Sequence, residues 1–542
     1  MRSIPWLLGM AVLVLQLACT YEVELYCDDE VACEYEDHPT RTYCDHDGSI
    51  GGTGNECIEP PAGACVSDGD CTGADQPICD RAARVCRACN DSSECEARSP
   101  EAPVCGVGGA CVAACEGFGD CGDAQAPICA ADGLCVPCDA SGTGDADCAA
   151  RDDGAPYCLE PGACGECRDS SHCTDAEPVC DPEQNVCRRC EEHAECDSQV
   201  CDRDAGACIE QEQVVYVTTD GSGAACTRAA PCGSIQAGID ATSESRAFVA
   251  VAPGSYSESV TVSDKAFSMV AEGAELSPDA SDVPVMQVSS GSQLEIEGLR
   301  LHGATGGAGD GLRCTAGGTP HISLHKVRLD QNSRRGIDTS SCVITALGTT
   351  IADNGGAGIS ADGGALTLER TTISENAGGG AELRRANFTL RNNFIVQNGT
   401  DATSFGGVSI TDALSDGIET AIVDFNTIAS NESSGAASGV FCLNVDIDLT
   451  LSNNIVYANS GGDPIGGNDC SATYSNIQGG ADGDGNIDQD PLFADPDNGD
   501  FRLQAGSPCI DAADPDASID LDFDGTSRPQ GEGFDIGAHE FR

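Results

Sequence analysis

The chain has 542 residues, 89 of them acidic and 27 basic, for a net charge of −62. Such a surplus excludes nucleic acid and anionic lipid surfaces as partners, because both would be repelled along the whole molecule. Only 4% of the residues are aromatic while 66 are glycine and 36 are cysteine, a composition short of large core residues and rich in turns and crosslinks.

The chain opens with MRSIPWLLGMAVLVLQLAC: one positive charge, an apolar run from Ile4 to Leu17, and a small residue before a cysteine. The run is too short and wrongly flanked to be a membrane-spanning helix. It resembles a bacterial lipoprotein signal, which implies a signal peptide over 1–18, lipidation at Cys19 and a tether over 19–26. Gln16 and Leu17 depart from that pattern, and ordinary secretory cleavage is the alternative. The location this implies is the bacterial cell envelope, as an outer-membrane or surface lipoprotein touching the membrane through its lipid alone, or secretion.

Residues 27–212 repeat a four-cysteine unit near C-x5-C-x7-C-x6-C, six times from Cys65 to Cys208, with Cys27, Cys33, Cys44 and Cys57 as a divergent seventh. Between the cysteines stand Asp, Gly, Ala, Pro and Ser, and 44 acids face 10 arginines over 21–212. Units of that length without aliphatic side chains have no core and need staples, so two disulfides per unit are expected; the connectivity stays open among three choices. The C-x2-C junctions at Cys86/Cys89 and Cys187/Cys190 would suit zinc, but export and the x3 spacing at Cys111/Cys115 oppose it.

Beyond residue 213 the language changes to β-strands. ISLHKVRLDQNSRRG (322–336), ITALGTTIADNGGAG (344–358), LTLERTTISENAGGG (366–380) and FTLRNNFIVQNGTDA (388–402) recur every 22 residues, with two looser copies at 420–431 and 449–459. Ile322, Ile344, Leu366 and Phe388 form one column, Leu329, Ile351, Ile373 and Ile395 a second, Asn332, Asn354, Asn376 and Asn398 a third, and Gly336, Gly358 and Gly380 a fourth. A fixed period of short apolar stretches separated by Asn and Gly means a solenoid of stacked coils: a mainly β fold, a parallel β-helix. Asn suits the repeated corner through its tolerance of left-handed backbone and its capacity for hydrogen-bonded ladders.

The stretch VVYVTTDGSGAACTRAAPCGSIQAGID (214–240) with AFVAVAPGSYSESVTV (247–262) resembles the opening of bacterial right-handed β-helix proteins of the pectate-lyase-like superfamily. That resemblance implies a cap and first coils over 213–293, with a short helix near Ser234–Asp240, and β-helix repeats over 294–480. GNIDQDPLFADPDNGDFRLQAGSPCIDAAD (485–514) and FDIGAHEF (534–541) resemble the choice-of-anchor type of terminal domain found on bacterial surface β-helix proteins, implying a closing domain over 481–542. Seven cysteines remain once the units and Cys19 are set aside. Cys226 with Cys232 would tie the cap, Cys314 with Cys342 and Cys442 with Cys470 would staple neighbouring coils, and Cys509 is left over.

Alternating acids in DGDGNIDQD and DLDFDG place Asp482, Asp484, Asn486, Asp488, Asp520, Asp522 and Asp524 as calcium candidates, although neither string completes an EF-hand loop. Calcium is thus the one cofactor expected. His321 and His325 would lie about 13 Å apart on a strand and do not form a metal pair.

An enzyme of this fold needs acids or a base on an outer face. In the strand after the glycine column, Arg313, Asp338 and Glu382 point outward one residue on, and Asp362 and Arg384 two residues further. Asp338 and Glu382 stand two coils apart, about 9.6 Å, and the Asp338–Asp362 and Asp362–Glu382 diagonals are about 8 Å, within the reach of an inverting hydrolase pair. The polygalacturonase strings NTD, DD, GHG and RIK do not occur over 213–480. The expectation is therefore a binding or structural protein meeting glycans or cell-surface polymers on Arg313, Asp338, Asp362, Glu382 and Arg384, with a polysaccharide lyase or hydrolase using Asp338, Asp362, Glu382 and Arg384 as the alternative.

Overall fold

The computed structural model describes residues 67–542 apart from 82, 84, 107, 118–119, 124, 139–143, 151–153, 161, 414–419 and 446–448, and before residue 67 it describes 33, 41, 43–45, 54–59 and 65. The signal peptide, Cys19, the tether and Cys27 lie outside the described residues. The chain divides into two compact units, one running to Thr174 and including Cys180–Arg188, the other comprising Asp175–Val179 and Arg189–Arg542.

In the first unit each cysteine module is built on a two-stranded hairpin. Ile78–Asp80 pairs with Val85–Arg87, Val104–Cys105 with Cys111–Val112, and Ile128–Cys129 with Cys135–Val136, so the third and fourth cysteines of a module stand directly opposite each other. Opposed on one face, they reach back to different partners, the third to the first and the fourth to the second. The bridges are Cys65–Cys79, Cys71–Cys86, Cys89–Cys105, Cys95–Cys111, Cys115–Cys129, Cys121–Cys135, Cys138–Cys158, Cys148–Cys164, Cys167–Cys180 and Cys173–Cys187. Cys33–Cys57 adds one bridge of the divergent unit. Three sulfurs of a module lie within 4.8 Å of one another, a closeness that the two disulfides explain without zinc. A second device repeats with the cysteines: in three successive modules the N–H of the first cysteine donates to the hairpin turn, Cys89 to Gly109, Cys115 to Gly133 and Cys138 to Gly162. Those turn glycines have positive φ, and at Gly109 a Cβ would collide with Ala88.

The second unit begins earlier than the repeats suggest, because the sixth module, bridged Cys190–Cys201 and Cys196–Cys208, belongs to it. After that module the chain winds into coils that stack three parallel sheets. Among the described residues the first has 11 strands, from Val214–Val217 to Cys470–Thr473; the second has 10, from Gly254–Ser257 to Asn476–Ile477; the third has 9, from Val260–Ser263 to Asp463–Gly467. Like positions pair between coils: Ile322 with Ile344, Leu366 and Phe388 in the first sheet, and Leu329 with Ile351, Ile373 and Ile395 in the second. All eight side chains are at most 2% exposed and form the continuous interior. The first coil is closed by a helix, Ile235–Asp240, whose N–H groups are taken by the Ser234 side chain and by the Glu258 carboxylate. Cys226–Cys232 ties this cap, and Cys314–Cys342 and Cys442–Cys470 link neighbouring coils.

The asparagine column is a ladder of buried amides. Asn332 donates to Asn354, Asn354 to Asn376, Asn376 to Asn398, Asn398 to Asn431 and Asn431 to Asn459, at 2.8–3.0 Å throughout, so the looser copies keep the same corner. The left-handed backbone does not sit on these asparagines, as the sequence reading has it, but one residue earlier, on Gln331, Asp353, Glu375 and Gln397. Their side chains point away from the core, while the next residue must carry an amide inward to satisfy buried carbonyls such as Leu329 O and Ile351 O. The glycine column follows from the ladder: a Cβ at Gly358 would stand 2.7 Å from Ile373 Cγ2 and 2.8 Å from Asn376 Nδ2. A second ladder, Asn393–Asn426–Asn454–Ser475, runs along the next corner and escapes a reading keyed to the first repeats, which hold Thr349 and Thr371 there.

The terminal segment does two things. Residues 485–489 cover the last coil, Ile477 donating to Ile487 O and Asn486 accepting from the Ser475 N–H. The rest folds back over the outer face of the second sheet rather than only closing the end. Phe501 and Ala538 pack with Phe394, Val396 and Ala429, and Leu503, Cys509 and Ile536 pack with Phe425 and Ile455. The DIGAHE string (535–540) is the lock. Gly537 and Ala538 donate to Asn453 O and Thr427 Oγ1, and Glu540 pairs at 3.2 Å with a fully buried Arg528 whose guanidinium lies 4.7 Å above the Phe425 ring.

Candidate functional site

The third sheet presents the outward residues in register. Arg313 pairs with Asp338, Asp338 with Ser360, and Ser360 with Glu382, while Ser340 pairs with Asp362 and Asp362 with Arg384. Inward of them, Leu312, Ile337, Ile359 and Ala381 are fully buried, so the backbone fixes which way the strip faces.

Electrostatically the strip differs from a row of free acids. Arg335 holds Asp338 at 2.6 Å and Arg313 lies 3.7 Å from it. Asp362 is gripped by Arg384 and, through both oxygens, by Arg385 at 2.6 and 2.9 Å. Burial works to raise the Asp362 carboxyl, but the hydrogen bonds from Arg385 and Arg384 outweigh it and hold it below the usual carboxylate range. Glu382 accepts from Ser360 Oγ at 3.0 Å. Asp310, with no exposed side-chain surface, anchors Arg313 and, at 3.1 Å, Arg334. A general acid needs a raised pKa. Both Asp338 and Asp362 are paired with guanidinium groups, and Asp362 is held low, the state of a fixed acceptor or base rather than of a proton donor.

Sequence reasoning missed Asp310, Arg334, Arg335 and Arg385. The signal was present as Arg-Arg doublets at 334–335 and 384–385, each adjoining a strand of the strip. It also missed a pair of buried acids elsewhere on the coils. Asp330 is bound by Arg300 at 2.8 and 2.9 Å and by Arg328 at 2.7 Å on the second sheet. Glu297 on the first sheet is bound by His193 at 3.0 Å and Arg203 at 2.6 Å, both from the sixth cysteine module. Burial would raise Glu297, yet His193 and Arg203 together bring it down to about 2.

The calcium candidates fall into two groups. Asn486 is committed to Ser475 N–H, Ala472 O and Ala481 O, and the buried Asp522 accepts from Thr526 and Glu540 N–H. Asp488 accepts from Gly479 N–H, and Asp482, Asp484, Asp520 and Asp524 are exposed. Cys509 is buried and free, its thiol pushed up to about 11 by burial while the Asn476 amide donates to its sulfur. Among the described residues no helix is long and apolar enough to cross a membrane.

A family model described as a right handed beta helix region matches residues 335–478, and one described as a family of unknown function (DUF8331) matches 113–214. The second match runs from the third cysteine module through the sixth and ends at the first strand of the β-helix. No curated protein matches the chain. Among solved structures the chain is similar to the crystal structure of pectate lyase Pel9A, at 14% identity and a TM-score of 0.43, over 62% of this chain and 98% of that one. The fold is a right-handed parallel β-helix carried behind a disulfide-rich region of little regular secondary structure.

Proposed function

We infer that the protein is an extracytoplasmic, lipid-anchored surface protein whose β-helix binds a glycan or cell-surface polymer along the third sheet. The observation that carries this reading is the neutralised strip: Arg335, Arg384 and Arg385 pin Asp338 and Asp362 in place, at coil spacing, on a rigid sheet. Fixed carboxylates and guanidinium groups offer acceptors and donors to the hydroxyls of an extended saccharide, whereas an acid held low by two arginines is a poor proton donor. The disulfides support an oxidising compartment. Membrane attachment rests on the signal-like opening, and Cys19→Ser would move the protein from the membrane fraction to a soluble one. A calcium requirement rests on the acidic terminal loops alone; melting curves with chelator and with excess calcium part if an ion is held there and superimpose if none is.

A glycan array run beside a reducing-end release assay on uronate polymers tests the central reading. Binding without release supports it. Release of new reducing ends that disappears in the Asp338→Ala/Glu382→Ala protein would instead establish the polysaccharide lyase or hydrolase.

A further inference from the structure

The sixth cysteine module and the first sheet share one compact unit, and beside the Glu297 lock they leave a cleft of about 390 Å³. That size falls within the range of about 300–1,000 Å³ typical of small-ligand sites. Val200 to Asp204 of the module line one side, and the outer face of the sheet lines the other. There Phe248, Ser268 and Glu295 stand in one column on three successive coils, so a half-buried ring, a hydroxyl and a carboxylate follow one another at coil spacing.

The polar groups beside that ring are fixed yet unsaturated. Ser268 Oγ donates to Glu295 Oε2 at 2.9 Å, while Glu295 Oε1 lies 3.9 Å from His325 Nε2 and the Glu295 side chain keeps 57% of its surface exposed. The one guanidinium at the rim, Arg203, is spent on Glu297. Asp202, Asp204 and Glu295 therefore leave the lining negative, which rejects uronates and phosphates. A neutral pyranose meets every condition: its C–H face covers an aromatic ring and its hydroxyls donate to a carboxylate and exchange hydrogen bonds with a hydroxyl or imidazole.

We propose that this cleft is a second carbohydrate site, taking one uncharged sugar unit on Phe248 with Glu295, Ser268 and His325 as its hydrogen-bonding partners. It is separate from the arginine-bearing strip of the third sheet, and the two readings stand or fall apart. The test titrates the full-length protein with cellobiose, maltose and N,N′-diacetylchitobiose by saturation-transfer NMR and calorimetry, with oligogalacturonate as the acidic control. At least one neutral disaccharide binds and oligogalacturonate does not compete with it. Phe248→Ala weakens that binding by about tenfold or more, the loss of one aromatic contact and its apolar cover. Because Phe248 also packs under the module, Glu295→Gln provides the second arm: it changes only an exposed carboxylate and produces a similar loss with an unchanged melting curve. The Asp338→Ala/Glu382→Ala protein retains the neutral-sugar affinity. No binding by any of the three disaccharides, or binding unaffected by both Phe248→Ala and Glu295→Gln, overturns the proposal.

Discussion

The two halves of this chain solve the same problem with different chemistry. Both are made of very short strands, two or three residues in the cysteine modules and three to five in most coils, and neither length is stable by itself. A module has almost nothing apolar to bury, so it closes each hairpin with two covalent bonds. The β-helix buries its Ile and Leu columns against the next coil and satisfies the corners with amide ladders. Covalent closure is local and tolerates any surface, which lets the modules be acidic along their length. Stacking is communal, since every coil depends on its neighbours and the end coils need covers. The sixth module shows the two solutions meeting: it is stapled like its predecessors, yet docked on the first sheet through Glu297.

Breaking one staple should have the largest effect and the shortest reach. Replacing Cys95 and Cys111 together by Ser is expected to cost about 2–5 kcal/mol within that module. Region-resolved hydrogen exchange should show loss of protection over residues 89–111 and none in the coils. Loss of protection spreading past residue 213 would show that the modules and the β-helix unfold as one.

Breaking one rung of the ladder should cost nearly as much but spread further. Asn376 donates to Ile351 O and Asn398 Oδ1 and accepts from Asn354, with no exposed surface. Asn376→Ala leaves the buried Asn354 side-chain amide without its acceptor, at about 1–3 kcal/mol for an unsatisfied group, while Asn398 Oδ1 keeps the backbone N–H of residue 376. Urea unfolding should show a lowered midpoint for the β-helix, with neighbouring coils losing protection on both sides of the change.

The junction between the two chemistries should respond to pH. Glu297 titrates near 2 when docked against an ordinary value of 4.5. A carboxyl lowered in the folded state contributes fully above about pH 4.5 and loses that contribution as the pH falls through about 2. The contribution is at most about 3 kcal/mol, and less because Arg203 is partly exposed and screened by solvent. Limited proteolysis between the sixth module and the first strand should become faster across that window in wild type. In Glu297→Gln the acceleration should be absent, because its cleavage is already fast at neutral pH.

How much of this was legible beforehand follows the same division. The inward columns, the parallel register and the cysteine units could be read because each depends on a repeat, and the cap helix because its segment resembles a known β-helix opening. What could not be read depends on partners that no repeat supplies. His193 and Arg203 precede Glu297 in sequence by about a hundred residues and meet it only once the module folds onto the sheet. The resemblance of the DIGAHE string to a terminal domain implied a closing segment, but not that Gly537 and Ala538 would bond back to Asn453 and Thr427 on the coils. On the third sheet the outward alternation placed Asp338, Asp362 and Glu382. It said nothing of Arg335 or Arg385, which lie just outside the strands and change the chemistry of the strip from acid to ion pair.

The smallest expected change in stability is also the most informative about function. In Asp338→Ala/Glu382→Ala both replaced side chains lie on the outer face, and the core residues beside them, Ile337, Ala381 and Leu383, are untouched. Arg335 loses its carboxylate partner and Ser360 its acceptor, but both sit where water can replace them. Partly exposed ion pairs at a solvent-facing surface contribute about 0–1 kcal/mol, so the melting curve should be nearly superimposable on that of the unaltered protein. Affinity for a polymer bound along the third sheet should fall, because two acceptors in a rigid row are gone and Arg335 is left without its carboxylate partner and can reorient, while Arg313 stays on Asp310. A variant that unfolds much earlier would mean the strip is structural. One that folds normally and binds every polymer of the wild type equally well would show that the arginine–carboxylate strip is only solvated surface.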